Sequence, residues 1–220
     1  MEHMFAGNYI RPKPTTPYIK EVQTEKGTLI VKGPVTGEDI NKLAIDFGLK
    51  AFRSPDSQKE ALAEIADLSE GRVIIATFND VIVGYVTFHF PDEFERWGQS
   101  KMPDLLELGA IEITPEWRQA KVSRHLLDVA FMDNTFEDYI IISTEYYWHW
   151  DLKGTGLDVW QYKAVMQKVL GAFGMQNAAT DEPEIASHAA NSLMVRIGEN
   201  APIESVIQFE TMRFKNRWMF

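Results

Sequence analysis

Residues 104–127 read DLLELGAIEITPEWRQAKVSRHLL, and this stretch combines a strand, a sharp turn and the start of a helix. Residues 105–114 are apolar with one acidic residue near each end, which predicts a buried strand. A Pro-Glu-Trp turn at Pro115 ends that strand, and an apolar periodic helix begins at about Val122 after a short polar loop. The first turn of a helix has unpaired N–H groups and the positive end of the helix dipole, so this arrangement predicts an anion site at the loop.

The polar loop contains three cations, Arg118, Lys121 and Arg124. Cations at a helix start oppose the helix dipole and lower helix stability unless an anion is present, which favours a phosphate or pyrophosphate ligand. A solvated surface turn is the alternative, and spacing alone does not separate the two. The chain contains neither a Walker loop nor a GxGxxG motif, so the predicted site is of neither of those nucleotide-binding types.

Two carboxylates, Glu107 and Glu112, lie on the predicted strand. In a regular strand these two positions would face opposite sides of the sheet, unless a bulge changes the alternation. A carboxylate on a central strand needs a partner or a chemical purpose, because burying it unpaired is costly. Each is therefore either a general base or a strand-end group that bonds to solvent or to an arginine, and spacing alone leaves both interpretations open.

The composition of this 220-residue chain limits the classes of function. A net charge of −10 argues against a nucleic-acid-binding protein, which needs a basic face to neutralise phosphates. The chain has no cysteine, which excludes disulfides and a cysteine nucleophile, and its five histidines do not pair at metal-ligand spacing. No apolar run is long enough to span a membrane and residues 1–14 lack the apolar centre of a signal peptide, so a cytoplasmic protein without a metal is expected.

The rest of the pattern predicts one α/β domain over residues 21–220, preceded by a mobile, proline-containing arm over residues 1–20. Residues 72–78 and 81–90 are apolar and separated by a single Asn-Asp pair, which predicts a tight hairpin of central strands. Apolar periodicity and flanking turn residues predict further elements, namely helices at 38–47, 57–68, 158–170 and 187–197, and strands at 28–31, 139–144 and 174–180.

Aromatic residues are concentrated in residues 145–150, which read EYYWHW. This run favours a packed core or an interface over a substrate wall, and its histidine is expected to pack between tryptophans rather than to act in catalysis. The end of the chain contains Arg213, Lys215, Arg217 and Trp218, which fit either a partner surface or a solvated terminus.

Residues 113–127 resemble the acetyl-CoA-binding motif of the GNAT acetyltransferases, which reads roughly V-x-P-E-[YF]-R-G-x-G-[IV]-G-x-x-L-L. Lys121 and Ser123 stand where that motif has glycines. The hairpin looks like the family's second and third strands, and residues 187–198 look like a later helix of the family, with Met194 at the position of its frequent proton-donating tyrosine. The resemblance covers residues 72–198, with an inserted segment near 145–172.

The resemblance implies the GNAT fold, an α/β (α+β) arrangement with a mixed, mainly antiparallel sheet and helices on both faces. It also implies acetyl-CoA as the acetyl donor, with its pantetheine along the strand and its pyrophosphate at the loop. Glu107 precedes Arg118 by the spacing of the catalytic glutamate in histone-acetylating members, which implies a general base, and Tyr146 or Tyr147 would supply a proton to the leaving thiolate. The residues implied to bind acetyl-CoA are Ile111, Glu112, Ile113, Arg118, Gln119, Ala120, Lys121, Val122, Ser123 and Arg124.

One branch of this family is similar over four further segments, residues 26–35, 106–112, 144–154 and 180–185. Members of that branch are described as protein-lysine acetyltransferases that modify acetyl-CoA synthetase and switch it off, so the resemblance implies the synthetase as protein substrate and partner. Two alternatives stay open. One is an acetyltransferase for small-molecule amines, and the other is a non-catalytic module that senses acetyl-CoA and inhibits the synthetase by holding it.

Overall fold

A computed structural model describes residues 13–215, and nine strands in this part of the chain form one sheet. The strands are β1 (Tyr18–Thr24), β2 (Gly27–Gly33), β3 (Ala44–Ile45), β4 (Arg72–Phe78), β5 (Val81–His89), β6 (Leu105–Ile113), β7 (Ile140–Glu145), β8 (Gln176–Ala178) and β9 (Ser192–Ile197). Their order is β1-β2-β4-β5-β6-β7-β9-β8, with β3 beside β5. The β6–β7 and β3–β5 pairs are parallel and the others are antiparallel, as predicted for a mixed, mainly antiparallel sheet.

Helices cover both faces of this sheet. Between residues 13 and 215 they are α1 (Gly37–Asn41), α2 (Pro55–Asp67), α3 (Arg96–Gln99), α4 (Val122–Ala130), α5 (Leu152–Thr155), α6 (Val159–Gly171), α7 (Pro183–Ala186) and α8 (Ile203–Met212). Successive residues of β4 point to opposite faces of the sheet and pack in two different hydrophobic clusters. Ile74 packs in the cluster that contains Leu126 of α4, whereas Val73 and Ile75 pack in the cluster that contains Leu62 of α2. We call these clusters the α4 core and the α2 core.

The side chains of β7 also alternate between the two faces of the sheet. Ile141 belongs to the α4 core, which also contains Leu170 of α6, whereas Ile140 and Ile142 pack with Phe209 of α8 in a third cluster, the α8 core. One face of the sheet therefore carries α4 and α6, and the other carries α2 and α8. None of the helices between residues 13 and 215 is both long and apolar enough to cross a membrane.

The β4–β5 hairpin is confirmed. Its two turn residues, Asn79 and Asp80, have φ values of 50° and 61°, in the left-handed region that these two residue types tolerate. Gly84 lies in the middle of β5, where a side chain would press against the backbone carbonyl of Glu112 on the neighbouring strand. This close approach of strands accounts for a glycine in an otherwise apolar strand.

The predicted helix over residues 187–197 is wrong, because Ser192–Ile197 forms strand β9. β9 pairs with β7 along its whole length and with β8 on its other side. Leu193, Met194 and Val195 are all buried, and a short apolar run of this kind fits a fully buried strand as well as a helix. The alignment of Met194 with a tyrosine on a helix is therefore wrong as well.

Two other predicted segments end at different residues in the structure. The helix predicted at 38–47 ends earlier, since α1 covers Gly37–Asn41 and β3 follows it. The predicted arm ends before Tyr18, because β1 begins there and pairs with β2 in continuous register. Residues 1–12 of that arm lie outside the described residues, as do Arg217 and Trp218 of the C-terminal tail. The segment 145–172 contains a 3₁₀ turn, α5 and α6, and it connects β7 to β8.

Candidate active site

A β-bulge interrupts the pairing of β6 with β5. Thr87 of β5 lies opposite Ala110, whereas the next residue, Phe88, lies opposite Leu108. Gly109 is therefore the extra residue on β6, and a side chain there would collide with the imidazole of the neighbouring strand. An inserted residue shifts the side-chain alternation of the strand by one position.

The bulge places Glu107 and Glu112 on the same side of the sheet, although their spacing alone predicts opposite sides. Leu106 and Ile113, on the two sides of the bulge, both pack in or against the α4 core. Glu112 instead contacts Tyr85 of the α2 core. Both carboxylates therefore point away from α4.

A cleft opens between β6 and β7. These parallel strands pair only over residues 105–107 and 140–142, and beyond that point they diverge around a cavity of about 610 Å³. The walls include residues 108–113 of β6 and residues 143–146 at the end of β7. One edge of each strand backbone faces this cleft, so an extended ligand can form strand-like hydrogen bonds there.

Glu107 lies where the two strands separate. Its side chain is buried, and the hydroxyl of Thr144, which lines the cleft, donates a 2.8 Å hydrogen bond to Oε1. The pKa of Glu107 is raised to about 7, chiefly by burial and to a smaller extent by the carboxylates of Asp92 and Glu145, against the lowering effect of the Thr144 hydrogen bond. A carboxylate with this pKa exchanges a proton readily near neutral pH, as a general base must.

Glu112 has a different environment. Its Oε1 accepts hydrogen bonds of 2.8 Å from the backbone N–H groups of Lys50 and Ala51, and its Oε2 accepts one of 2.7 Å from the hydroxyl of Tyr85. Lys50 and Ala51 also line the cleft. Glu112 therefore anchors the loop after β3 at the edge of the cleft, a role that its position in the sequence did not indicate.

The basic loop connects β6 to α4. Pro115–Ala120 forms a 3₁₀ turn, and Lys121 then adopts φ 54° and ψ 30° before α4 begins. This left-handed conformation favours glycine, which explains why the motif that this loop resembles has glycine at the position of Lys121. Lys121 makes no capping hydrogen bond with its side chain within residues 13–215. The N–H group of Arg124 bonds to the carbonyl of Lys121, and the N–H groups at the start of α4 before it are open to an anion.

Arg118 lines the cleft at this end. Its Nη2 donates a 2.7 Å hydrogen bond to Asp151, which also lines the cleft, and this contact lowers the pKa of Asp151. Its Nη1 is buried and has no hydrogen-bond partner among residues 13–215. Asp151 therefore holds the Arg118 side chain in place. A buried donor without a partner is costly, which favours an anionic ligand that accepts a hydrogen bond from Nη1.

The structure brings only part of the predicted binding set to the cleft. Ile111, Glu112, Ile113, Arg118 and Ser123 line it. The others lie in or beside the loop and α4 without lining the cleft: Gln119, Ala120, Lys121, Val122 and Arg124. Within residues 13–215 no group of three or more metal-ligating side chains comes together.

Glu145, which has no motif or spacing that marks it in the sequence, is also buried in the cleft wall. It accepts a 2.7 Å hydrogen bond from Ser143 and a 3.4 Å hydrogen bond from the indole N–H of Trp150, and burial raises its pKa. The only signal in the sequence was an acidic residue directly after an apolar strand. Of the two tyrosines predicted as proton donors, Tyr146 lines the cleft, whereas Tyr147 packs against His188.

Most of the aromatic run lines the cleft, as the substrate-wall alternative requires, although Tyr146 also packs against the α8 core, and the predicted interface stays a prediction. Tyr146, Trp148, His149 and Trp150 all line the cavity, and Trp148 is 48% exposed. The chain leaves the sheet at Glu145 and turns in a 3₁₀ helix, so the side chains of this turn are not covered by the helices of the cores. His149 contacts Tyr146 and its neighbouring tryptophan edge to face.

Comparisons with known proteins agree with this architecture. No family model matches the chain. The acetoin utilization protein AcuA of Bacillus licheniformis is 51% identical over 205 residues, which are 93% of this chain and 98% of that protein. The chain belongs to the AcuA family. The AcuA of Bacillus subtilis is likewise 51% identical, over 90% of this chain and 95% of its own length.

Solved structures with a similar fold agree with the AcuA assignment. The crystal structure of an acetoin utilization protein from Exiguobacterium sibiricum has a TM-score of 0.92 at 44% identity, covering 96% of this chain and 99% of that one. The GNAT domain of S. lividans PAT has a TM-score of 0.50 at 13% identity, covering 80% and 95%, and this likeness concerns the fold alone. The GNAT fold and the AcuA branch predicted from sequence are therefore confirmed.

Proposed function

We propose that this protein transfers the acetyl group of acetyl-CoA to a lysine of acetyl-CoA synthetase in the cytoplasm, and so inactivates the synthetase. One observation carries the proposal. Thr144 and Arg118 both line the cleft between β6 and β7. Thr144 bonds to Glu107, a buried carboxylate with a pKa of about 7, and Arg118 keeps a buried N–H group without a partner among the described residues. Membership of the AcuA family supports the link to acetoin utilization.

The residues of the cleft fit a coenzyme A thioester. The uncapped first turn of α4 and the Nη1 of Arg118 offer donors to a pyrophosphate. The free edge of β6 around Ile111 and Ile113 offers backbone groups to the amides of a pantetheine arm. The cavity of about 610 Å³ is of the size that cofactor sites require.

Acetyl transfer to a lysine needs a base. The pKa of a free lysine is about 10.4, so only about one amine in 10³ is unprotonated at neutral pH. We assign Glu107 to take the amine proton as the nitrogen bonds to the acetyl carbon and the carbon–sulfur bond breaks. A backbone N–H of β6 stabilises the developing oxyanion, and Tyr146 or solvent returns a proton to the sulfur. Burial raises the pKa of Tyr146, so its hydroxyl is protonated at neutral pH.

Intact-protein mass spectrometry of a mixture of this protein, acetyl-CoA and acetyl-CoA synthetase tests the proposal. We expect a mass increase of one acetyl group on the synthetase, located at a lysine by peptide mapping, together with loss of synthetase activity. A synthetase that is inhibited without any acetyl mark would contradict the proposal and support the non-catalytic module. Acetylation of small amines in preference to the synthetase would support the small-molecule alternative.

Substitution Thr144→Val is expected to move the acidic limb of the activity profile to higher pH. The Thr144 hydroxyl stabilises the ionised form of Glu107 and lowers its pKa, so removing it raises the pKa above about 7. Activity requires the ionised base, so kcat/KM at pH 7 falls while the plateau at high pH is retained. The measurement is kcat/KM from pH 6 to 9 in the wild type and the variant. Superimposable profiles would exclude Glu107 as the titrating base.

A further inference from the structure

Five carboxylates lie close together beside Tyr146, next to the cleft. They are Asp92, Glu95, Glu107, Glu182 and Glu184. Partial burial and the other four carboxylates raise the pKa of Glu95 to about 7, and four of the five raise the pKa of Tyr146 beyond the effect of burial. Hydrogen bonds place these groups together. Arg96 bonds to Asp181, which brings Glu95 close to Glu182, and the side chain of Asn191 bonds both to the carbonyl of Glu184 and to the N–H of Tyr147, next to Tyr146.

This acidic group has no neutralising partner within residues 13–215, since none of the five carboxylates forms an ion pair there. Arg96, the basic residue adjacent to Glu95 in sequence, lies beside the group but forms its ion pair with Asp181 and not with one of the five carboxylates. Its guanidinium donates to the side chain and carbonyl of Asp181 and to the carbonyl of Arg213. Uncompensated negative charge of this kind attracts a cationic partner.

Exposed aromatic rings adjoin the acidic group. Tyr146 stacks on Trp148 with ring centroids 4.8 Å apart, and His149 joins this pair to Phe52 by edge-to-face contacts. Trp148 and Phe52 are 48% and 42% exposed, and all four residues line the cleft. Exposed aromatic rings at the mouth of a cavity are typical anchors for a protein partner, and their faces attract guanidinium and ammonium groups.

We propose that this surface, formed by the five carboxylates and the Tyr146–Trp148 stack, binds a protein segment in which the acceptor lysine is followed or preceded by a second basic residue. This inference rests on the proposed function and names its substrate class. The acceptor lysine enters the cleft toward Glu107. The second cation lies against Glu95 and Glu184 at the surface, where an arginine can also stack on Trp148.

The double substitution Glu95→Gln/Glu184→Gln tests this surface. Both side chains are exposed, and neither forms a side-chain hydrogen bond within the described residues, so the change removes charge with little effect on folding. The matched control is Glu64→Gln/Glu204→Gln, which removes the same charge from exposed positions of α2 and α8 that do not line the cleft.

Two lysine peptides that differ only in having arginine or glutamine next to the lysine serve as substrates, at pH 8.5. For the wild type and the control we expect kcat/KM at least about tenfold higher for the arginine peptide, and for the double variant a preference reduced to about twofold or less. A preference that the double variant retains, or that the wild type lacks, would overturn the inference.

Binding of the same two peptides, measured by fluorescence anisotropy, separates this inference from the proposed function. If neither peptide is acetylated and the synthetase is not acetylated, the proposed function fails. The docking surface is then still tested by binding. Tighter binding of the arginine peptide, lost in the double variant, supports the surface, and equal binding of both peptides contradicts it.

Discussion

Substitution Glu107→Gln is expected to lower kcat for acetyl transfer by about 10²- to 10⁴-fold, the usual contribution of a general base. Glutamine keeps the shape of the side chain and can still accept the hydrogen bond from Thr144. It cannot take up the amine proton. Because Glu107 lies where β6 and β7 separate and not at the loop that faces the pyrophosphate, acetyl-CoA binding is expected to stay within a few-fold. Steady-state kinetics and calorimetry measure the two effects separately.

The stability of the same variant provides a control for misfolding. The pKa of Glu107 is raised on folding, so its contribution to stability is fully present below about pH 4.5 and is lost as the pH rises through about 7. At pH 8 the buried carboxylate is ionised and destabilises the native state. Glu107→Gln should therefore have a higher Tm than the wild type at pH 8, and little difference at pH 4. A lower Tm at pH 8 would mean that the loss of turnover reflects damage to the fold.

Persistent turnover in Glu107→Gln would contradict the assignment of the base. Glu145 is then the next candidate, because it is buried in the wall of the same cleft and burial raises its pKa. Its side chain lies on the α4 side of β7, with Ser143, whereas Glu107 bonds to Thr144 on the other side. The two carboxylates therefore lie on opposite sides of the sheet, and comparison of their glutamine variants identifies the side on which the amine proton is taken up.

The stretch that ends β6 and begins α4 could be predicted from sequence because its signals are local. Pro115 cannot continue the pairing of β6, and it opens the 3₁₀ turn. The periodic residues Val122, Leu126 and Val129 are all buried in the α4 core, as an amphipathic helix requires. The anion site at the loop is predicted from the same local geometry, because an exposed helix start needs no tertiary contact to offer its N–H groups.

The positions of the two strand carboxylates could not be predicted, because they depend on pairing between strands. The bulge at Gly109 exists only as a mismatch between β6 and β5, and without it Glu107 and Glu112 would face opposite sides of the sheet. The partners of Glu112 come from the loop at Lys50, far away in sequence. The spacing between Glu107 and Glu112 contains no information about the bulge or about the partners of Glu112.

Strand β9 shows a second reason why part of the fold could not be predicted from the sequence. Ser192–Ile197 is short, and its apolar residues fit a helix as well as a strand. What decides between them is the row of unpaired backbone groups that β7 presents on the edge away from β6. β9 satisfies this edge from Ile140 to Glu145. A resemblance to a helical motif was therefore misleading where the tertiary structure required a strand.

Substitution Arg118→Ala is expected to raise the Kd for acetyl-CoA by about 10- to 100-fold, because a hydrogen bond to a charged group contributes about 1.5–3 kcal/mol. Arg118 is the strongest candidate in the loop for this contact. Its guanidinium is positioned by Asp151 and keeps a buried N–H group without a partner among the described residues. Lys121 is exposed and does not line the cleft, so Lys121→Ala should change the Kd by only a few-fold. Calorimetry with acetyl-CoA measures both variants.

Loss of Arg118 also leaves Asp151 unpaired at the edge of the cleft, and this extra negative charge could repel a phosphate on its own. The double variant Arg118→Ala/Asp151→Asn removes that repulsion, so a direct contact predicts that most of the affinity loss remains. S-acetylpantetheine, which lacks the pyrophosphate, provides the second test. Its KM should be the same for the wild type and Arg118→Ala, because the missing contact involves a group that this substrate does not have. An equal loss with both thioesters would mean that Arg118 acts by holding the cleft together and not by binding the pyrophosphate.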